Sequence, residues 1–380
     1  MSGKKEKFDV IVVGLGPGGS VIGYLLALQG FKVLGIDYKQ FPRFKLCGGL
    51  ITLKTQKIIN QIKPGALEEL ESKKIIFFSS PRYGIGFPDG VIYRNNLQAC
   101  FKIVDRTSFD FYWYSCCKQS GAEVVVDKVV NVDVENNAVR LASGRKFFAS
   151  CIIGADGVFS VVRKTLARQQ FLKNYSEPGL AIALETFVSR LDFPYFPHIF
   201  FANIPEGYFW IFPHKQGYCV GVLSAKLTGQ ELKKYFFDFC RKKLNISPTR
   251  LFGAYLPYGN FTLNSGYKQC FLIGDAAGLA DPLLGEGIFY AFKSAFILAK
   301  SFSCFPDFEQ IRKRFYIEIS QEVREFKAAF WWRKIFFTLS KLDNFKLFQW
   351  MFEKKSYFFE QIIQGERSFI WGKIKTRKSK

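Results

Sequence analysis

The first pattern in the chain is a short apolar run, a group of glycines and a second apolar run. Residues 10–13 are continuously apolar and predict a buried parallel strand, while residues 20–29 predict a helix that Gly30 ends. Residues 32–36 then predict a second strand that ends at Asp37. A strand, a helix and a strand in this order indicate a parallel sheet.

Weaker patterns of the same kind continue along the chain. Residues 104–121 and the residues from Ile288 onward predict helices, and the chain after Phe305 is helical, aromatic and basic. Residues 38–50 contain a proline and paired glycines, which predict a loop. Alternating or apolar runs predict strands at residues 75–78, 84–87, 123–126, 128–134, 151–153, 180–188, 198–203, 208–212, 218–224 and 270–273. The runs between residues 166 and 268 indicate an antiparallel sheet.

Composition adds size, charge and aromatic content to this picture. A chain of 380 residues can form two domains, or one domain with a large insertion. Its net charge of +22 favours anionic partners, which include acidic membranes, nucleic acids and anionic substrates. The 44 phenylalanines indicate apolar pockets or a membrane-facing surface, although an AT-rich genome would also raise the phenylalanine and lysine content.

The scarce residue types narrow the candidate chemistry. Two histidines argue against a histidine-rich metal site and against a Ser-His-Asp triad. Nine cysteines without paired spacing indicate a reducing compartment rather than a disulfide framework. The N-terminus does not resemble a signal peptide, and no nucleic-acid-binding motif is present. We therefore expect a cytoplasmic protein without a metal site and without a nucleic-acid partner.

The glycines after the first strand predict a site for a dinucleotide. They form the pattern G-x-G-x-x-G, in which glycines allow a tight turn, close approach of a pyrophosphate and close packing of helix on strand. Asp37 follows about 20 residues later, where a carboxylate accepts hydrogen bonds from ribose hydroxyls. The alternative is a glycine-rich turn in an ordinary α/β domain. The predicted cofactor-binding residues of this turn are Gly14, Gly16, Pro17, Gly18 and Gly19.

The loop after Asp37 carries a more specific pattern, Pro-Arg-x-Lys-x-Cys-Gly-Gly. Together with the upstream glycines it resembles the geranylgeranyl reductase family of FAD-dependent oxidoreductases. The resemblance implies that this loop lies beside the flavin, with Lys45, Cys47, Gly48 and Gly49 as cofactor contacts. Cys47 is then the candidate catalytic residue, as a proton donor or as a group that positions the substrate. The alternative for Cys47 is a small buried apolar residue.

Three further stretches agree with this resemblance. Arg106 at the start of a helix resembles the arginine that approaches the ribityl-phosphate region in flavin-dependent hydroxylases, although with Asp110 it could also form an ordinary surface ion pair. Val130 is predicted to contact the cofactor from the strand at 128–134. Asp156, in Gly-Ala-Asp-Gly, resembles the Asp-Gly motif near the cofactor phosphates, and a structural Asx turn is the alternative.

The most specific match is residues 274–288, Gly-Asp-Ala-Ala-Gly followed by Asp-Pro and Gly-Glu-Gly-Ile. The resemblance implies that Asp275 binds ribityl hydroxyls and that Gly285, Gly287 and Ile288 approach the flavin. A helix N-terminus at this point would favour an anionic reduced flavin.

The candidate substrate site is the segment Tyr-x-Trp-x-Phe-Pro, which resembles a lipid-pocket element of the same family. Period-two alternation places Tyr208, Trp210 and Phe212 on one face, suited to an isoprenoid chain, and Pro213 completes the motif. The alternative is ordinary core packing. Leu223 and His214 depart from the family pattern, which tends to have glycine and lysine there, and they leave the substrate open.

The resemblance runs through most of residues 8–300 and implies an α/β fold. We expect a Rossmann-like FAD-binding domain, an inserted substrate domain with a mixed or antiparallel sheet, and a helical C-terminal region. The predicted division is residues 1–75, 101–165 and 269–304 for the FAD-binding domain, 76–100 and 166–268 for the substrate domain, and 305–380 for the C-terminal region with its basic tail.

The implied function is saturation of carbon–carbon double bonds in a geranylgeranyl-type lipid by hydride transfer from reduced FAD. NADPH and ferredoxin both remain as electron donors. An FAD-dependent monooxygenase of an apolar substrate and a non-catalytic flavoprotein or membrane-surface binding module are the alternatives. Residues 326–352 interleave aromatic residues with Arg333, Lys334, Lys341 and Lys346, which predicts peripheral contact with an anionic membrane; capping helices with a solvated tail are the alternative. The tail's basic residues are Lys373, Lys375, Arg377, Lys378 and Lys380.

Overall fold

The computed structural model describes residues 7–94, 96–171, 179–259, 261 and 266–370. The strands are β1 Lys7–Val13, β2 Val33–Asp37, β3 Leu50–Ile51, β4 Ile76–Ser80, β5 Tyr83–Phe87, β6 Gly90–Arg94, β7 Phe101–Val104, β8 Glu123–Val126, β9 Val129–Asp133, β10 Ala138–Leu141, β11 Lys146–Gly154, β12 Ala181–Val188, β13 His198–Phe200, β14 Gly207–His214, β15 Gly217–Ser224, β16 Phe252–Leu256, β17 Gly266–Tyr267 and β18 Cys270–Leu272. The helices are α1 Pro17–Leu28, α2 Leu53–Ile62, α3 Ala66–Ser72, α4 Arg106–Gln119, α5 Val161–Arg168, α6 Gly229–Leu244, α7 Ile288–Cys304, α8 Phe308–Asp343, α9 Lys346–Lys354 and α10 Ser356–Ile363. A short 3₁₀ turn covers Gly274–Ala277.

The first sheet is built on the predicted N-terminal βαβ unit. Its strand order is β17-β18-β11-β1-β2-β8, with β10 on β11 and β9 on β10. The strands β18, β11, β1, β2 and β8 all run parallel. Their carboxyl ends therefore lie at one edge of the sheet, which is where ligands bind in open α/β sheets.

Three helices bury the core of this parallel sheet. Helix α1 packs between α4 and α7, and aromatic side chains of the latter two meet each other. The ring centroids of Phe109 and Trp113 lie 5.9 and 5.1 Å from that of Phe292. All three rings are fully buried, so aromatic packing joins α4 to α7 next to α1.

The second sheet has seven strands in the order β16-β12-β15-β14-β13-β5-β6. All its pairs are antiparallel except β13 with β5. Helix α6 covers one face with Leu232, Phe236, Cys240 and Leu244, which repeat every four residues. The opposite face carries the aromatic residues predicted to bind substrate. A third, smaller sheet has the order β3-β7-β4.

The C-terminal helices return to the start of the chain. Gln364, just after α10, accepts the N–H of Leu53 at 2.7 Å through Oε1 and donates to the carbonyl oxygen of Ala99 at 3.0 Å. It therefore caps the first turn of α2. Within the described residues, none of the helices combines the length and the apolar character that crossing a membrane would require.

The predicted fold class is confirmed, and most predicted strands and helices are present with shifted ends. Helix α1 begins at Pro17 rather than Ser20, because proline is favoured at the first helical position. Strand β11 has nine residues, longer than predicted. Helices α2, α3, α5 in full length and α6 were not predicted, although the four-residue repeat of α6 is visible in the sequence.

Candidate active site

The turn after β1 has room for a phosphate. Gly14 has a φ of +89°, and an added Cβ would lie 2.6 Å from the carbonyl oxygen of Ala155. An added Cβ on Gly19 would lie 1.8 Å from the carbonyl oxygen of Gly14, so this approach requires glycine. In contrast, an added Cβ on Gly16 would meet, among the described residues, only Arg43 Nη2 at 3.5 Å. The space in front of Gly16 is therefore open.

Helix α1 directs backbone N–H groups at this space. Gly16 is its N-cap, and in the described part of the chain no side chain caps it and no acidic residue lies in its first turn. The N–H groups of Gly18 and Gly19 belong to the first turn, where helices have no internal acceptors. Pro17 has no N–H to satisfy. The resulting positive partial charge suits a pyrophosphate.

Asp37 lies at the same edge and also holds the turn together. Its Oδ2 accepts the N–H of Leu15 at 2.8 Å, and its Oδ1 accepts the N–H of Lys39 at 2.9 Å. A carboxylate has about four lone-pair positions, so each oxygen can still accept a hydroxyl. The predicted role at the ribose is therefore compatible with this second, structural role.

Asp156 packs directly against the glycine turn. An added Cβ on Gly14 would lie 2.6 Å from Asp156 Cα, and Asp156 Oδ2 accepts the N–H of Val161 at 2.7 Å. Its Oδ1 is buried and has no hydrogen-bond partner among the described residues. Burial raises the pKa of Asp156 to about 6, against the hydrogen bonds from Ser160 and Val161. A structural role at the start of α5 thus accounts for one carboxyl oxygen and leaves the other.

Asp275 faces the start of α7. An added Cβ on Gly287, the N-cap of α7, would lie 3.5 Å from Asp275 Oδ1. No side chain in the described ranges caps this helix, so the N–H groups from Ile288 onward are directed toward the site. Burial raises the pKa of Asp275, while the charges of Lys45 and Arg106 oppose the rise.

Arg106 is buried, which excludes the surface ion pair that the sequence left open. It is 8% exposed, and its Nε and Nη2 both donate to Asp110 Oδ1 at 3.0 Å. Arg43 adds a second cation, 3.7 Å from Asp110 Oδ2. Burial by itself would lower the pKa of Arg106, but Asp110 and the neighbouring Cys47 thiol hold it above its ordinary value.

The loop with Cys47 lies between Arg106 and the aromatic sheet. Cys47 Sγ accepts the N–H of Gly49 at 3.4 Å. Gly49 has a φ of +73°, and an added Cβ would lie 2.3 Å from the carbonyl oxygen of Val104. Lys45 is exposed on the same loop.

The predicted aromatic wall meets this loop. Tyr208, Trp210 and Phe212 belong to one apolar cluster on the same face of β14, as their alternation predicted. An added Cβ on Gly48 would lie 2.6 Å from Phe212 Cδ2 and 3.3 Å from Trp210 Nε1. An added Cβ on Gly285 would lie 3.1 Å from the hydroxyl oxygen of Tyr208. The wall therefore contacts both predicted cofactor loops.

The loop before α7 is held by the wall and by its own carboxylate. Tyr208 and Tyr258 donate hydrogen bonds to the carbonyl oxygens of Leu284 and Leu283. Asp281 Oδ1 accepts the N–H groups of both leucines at 2.8 Å. These bonds fix the position of the glycines that follow.

Arg333 braces the same loop from the C-terminal region. It is 3% exposed, and its Nη1 donates to the carbonyl oxygens of Tyr258 and Pro282 at 3.1 Å. Its Nε lies 3.4 Å from Glu206 Oε2. The prediction that Arg333 belongs to a basic membrane surface is therefore wrong, because these buried acceptors bind its guanidinium.

A buried ion pair between Lys54 and Glu286 also holds this loop. The sequence did not predict the pair, because it did not predict helix α2. Lys54 Nζ lies 2.6 Å from Glu286 Oε2. Glu286 Oε1 accepts the hydroxyls of Thr52 and Thr55 at 2.8 Å each. Burial alone would lower the pKa of Lys54, but the carboxylate of Glu286 holds it above its ordinary value.

Four further positions were predicted as site residues or noted in the sequence. Alternation along β14 places Pro213 on the face opposite the wall. Val130 is 43% exposed on β9 and remains a prediction. Leu223, which stands at a position where the family pattern tends to have glycine, is buried beside Gly285. His214 packs on an aromatic ring at 4.6 Å, and burial lowers its pKa.

Sequence reasoning also missed Glu185, which lies on β12 beside the loop of Cys47. It is 2% exposed, and its Oε2 is buried without a hydrogen-bond partner in the described residues. Burial raises its pKa to about 8, against the charges of Arg106 and Lys45. A lone glutamate in an alternating apolar strand was the available signal, because such a position predicts burial.

These features fit an FAD molecule. The open space before Gly16 suits a pyrophosphate, Asp37 retains acceptor capacity for a ribose, and the uncapped N-terminus of α7 suits the electron-rich edge of a flavin. Oδ1 of Asp156 is buried and has no hydrogen-bond partner in the part of the chain that the structure describes, which indicates that a polar group of a ligand binds there.

Comparisons with known proteins agree with this assignment. No family model matches the chain. It is 29% identical over 343 residues to an uncharacterized protein of Methanosarcina barkeri, and the alignment covers 87% of this chain and 84% of that protein. It is 28% identical to the menaquinone reductase of Mycolicibacterium smegmatis, over 77% of this chain and 75% of that one. It is 25% identical to the geranylgeranyl diphosphate reductase of Rhodobacter capsulatus, over 75% of this chain and 72% of that protein.

Solved structures match over most of the chain. A geranylgeranyl bacteriochlorophyll reductase-like protein from Thermoplasma acidophilum has a TM-score of 0.74 at 23% identity, covering 87% of this chain and 88% of that one. A flavin-dependent brominase has a TM-score of 0.73 at 19% identity, covering 95% and 94%. The resemblance to geranylgeranyl reductases predicted from the sequence is confirmed, and so is the class of the protein, an FAD-dependent oxidoreductase.

Proposed function

We propose that this chain is an FAD-dependent reductase that saturates carbon–carbon double bonds of an isoprenoid lipid. The observation that carries the proposal is the contact between the aromatic wall and the Cys47 loop, with Gly48 between Phe212 and Trp210. An apolar chain on this wall would lie beside the loop predicted to border the flavin. Relatives named for the reduction of geranylgeranyl diphosphate and menaquinone support a prenyl substrate.

The chain's own residues would bind FAD, orient the substrate double bond and shield it from water. The turn from Gly14 to Gly19 would hold the pyrophosphate, Asp37 the ribose, and Asp156 and Asp275 the polar parts between phosphate and flavin. Reduced FAD, when bound, would supply a hydride to one carbon of the double bond. Isolated double bonds are unactivated, so exclusion of water by the aromatic wall and close positioning matter most.

An anaerobic assay tests this function. Dithionite-reduced protein incubated with prenyl lipids should add two hydrogens per double bond, detected by mass spectrometry. Consumption of oxygen with NADPH and substrate, without any saturation, would instead support the monooxygenase. Bound FAD that neither reaction uses would support the non-catalytic flavoprotein. Reduction of the bound flavin by NADPH or by ferredoxin identifies the donor.

Cys47→Ala should lower the rate of saturation by about 100-fold, since a misplacement of about 1 Å can cost that much. We expect unchanged FAD content and unchanged reduction by dithionite, because the residues predicted to hold the pyrophosphate and the ribose, Gly14–Gly19 and Asp37, lie outside this loop. The assay above measures the rate. Cys100→Ala, a cysteine outside the site with similar partial burial, is the matched control. Equal turnover of both variants and wild type would leave Cys47 as a packing residue.

We also propose that the C-terminal region contacts an anionic membrane, as suits a lipid substrate. An apolar stripe on α8, formed by Trp331, Ile335, Leu339 and Leu342, is exposed to solvent by 62%, 42%, 37% and 81%. Its spacing places these residues on one side of the helix. The exposed lysines near it are Lys334, Lys341 and Lys346. The basic tail predicted from the sequence, residues 373–380, lies outside the described residues.

Leu342→Glu should weaken binding to phosphatidylglycerol liposomes by about tenfold, since burying a leucine contributes roughly 1.5–3 kcal/mol. Flotation against phosphatidylcholine liposomes gives the share of binding due to charge, about 1 kcal/mol for each basic residue near the surface. Ile317→Glu, at a residue 45% exposed earlier on the same helix, is the control. Failure of wild-type protein to float with either liposome at low salt would refute membrane contact.

A further inference from the structure

Glu185 is a buried carboxyl group on the apolar face that forms the candidate substrate site. On β12 its alternate neighbours Ala183 and Phe187 belong to the same cluster as Trp210. Across the sheet Glu185 pairs with Gly221, whose missing side chain leaves room for the indole of Trp210. The carboxyl group therefore lies among apolar and aromatic side chains at the wall.

Among the described residues, no cationic side chain forms a direct ion pair with Glu185. The titratable and charged groups that face it are Arg106 from α4, Lys45 and Cys47 from the loop, and Cys219 from β15. Arg106 is already bound by Asp110, and Lys45 is exposed. Oε2 of Glu185 has no hydrogen-bond partner in the described ranges.

A buried carboxyl group in these surroundings keeps its proton at neutral pH. Burial raises the pKa of Glu185 to about 8, while Arg106, Lys45 and the backbone N–H of Cys47 oppose the rise. A general acid must carry its proton near pH 7. A carboxyl group at an apolar site without water meets this requirement.

We propose that Glu185 is the acid of this site and gives its proton to a carbon of the substrate double bond. This inference rests on the reductase function proposed above. The O–H bond of Glu185 breaks and leaves its electron pair on the carboxylate, while the π bond of the double bond breaks and its electron pair forms a C–H bond with the proton at one carbon. The other carbon takes up a hydride, which reduced FAD would supply as it is oxidised. Water then returns a proton to the carboxylate, and Cys47 serves to position the substrate.

The first test needs no substrate. The carboxyl group of Glu185 has an ordinary pKa of 4.5 in the unfolded chain and about 8 in the folded one. Its contribution to stability is therefore complete below about pH 4.5 and is lost as the pH rises through about 8. The urea midpoint of wild-type protein should fall relative to that of Glu185→Gln over this range, while Glu123→Gln, at an exposed residue, should follow wild type.

Infrared difference spectra of the purified protein give a second readout over the same range. Wild type should lose the carbonyl band of a protonated carboxyl near pH 8, and Glu185→Gln should lack this change. A wild-type urea curve parallel to that of Glu185→Gln, or a wild-type spectrum without the band, would overturn the inference.

The turnover test separates this inference from the proposed function. Glu185→Gln should keep its FAD and lose about 10²–10⁴-fold of the saturation rate, and Glu185→Asp, which keeps the acid, should recover part of it. If wild type saturates no lipid, the proposed function fails while the pH titration still decides the protonation of Glu185. If Glu185→Gln saturates lipid as fast as wild type, the inference fails and the function stands.

Discussion

We expect Gly16→Val to abolish FAD binding and to leave the chain folded. An added Cβ at this position meets only Arg43 Nη2, at 3.5 Å, among the described residues, so the protein itself has room for a side chain. The backbone of Gly16 has a φ of −62°, which valine also adopts. The branched side chain would occupy the space predicted for the pyrophosphate. We expect affinity for FAD to fall by at least about 100-fold, about 2.7 kcal/mol.

The measurement is the amount of FAD released per mole of protein on denaturation, with circular dichroism to follow folding. Gly229→Val is the matched control, because an added Cβ there has no neighbour within 4 Å in the described residues. That variant should keep its flavin. A folded Gly16→Val protein with the wild-type content of FAD would show that the glycine turn does not hold the cofactor, and release of FMN would contradict the dinucleotide assignment.

We expect Lys54→Met to destabilise the chain by about 3–5 kcal/mol, since removing one member of a buried ion pair leaves the other charge without compensation. Both side chains of the Lys54–Glu286 pair are only 11% exposed, and Lys54 also lies over the ring of Tyr290. Urea unfolding measures the loss. The loop that Glu286 belongs to precedes α7, so a weaker affinity for FAD should accompany it.

Lys57→Met on the same helix is the control. Lys57 pairs with Glu366, but the two side chains are 44% and 40% exposed. Exposed pairs contribute about 0–1 kcal/mol, so this variant should resemble wild type. The double variant Lys54→Met and Glu286→Gln should recover part of the lost stability, because the uncompensated charge is removed. Equal stability of the two single lysine variants would show that the buried pair does not brace the loop.

The sequence by itself determined the first βαβ unit, the glycine turn and the face of the aromatic strand. Each of these is a local pattern: an apolar run, glycines at fixed spacing, or alternation along β14. The position of Asp37 followed as well, because the carboxyl end of a strand next to β1 must lie at the same edge of a parallel sheet. Local patterns also indicated a parallel α/β sheet and an antiparallel sheet, and the family resemblance implied the rest of the fold class.

Only the tertiary structure decided which charged residues are buried. Arg333 reads as one of several basic residues in an aromatic helix, yet it binds carbonyl oxygens of Tyr258 and Pro282. Arg106 and Asp110 have the spacing of a surface pair and are buried together. In both cases the sequence gives the charge, and the packing of other elements removes the solvent.

The ion pair at Glu286 and the surroundings of Glu185 were also decided by the tertiary structure, for the same reason. Thr52 and Glu286 are 234 positions apart and meet only because α2 and α7 pack together. Glu185 acquires its raised pKa from burial beside a loop that lies far away in the chain. Hydrophobic periodicity reports which face of an element is buried, but the groups across that face are set by long-range packing, and these groups determine protonation and strength of binding.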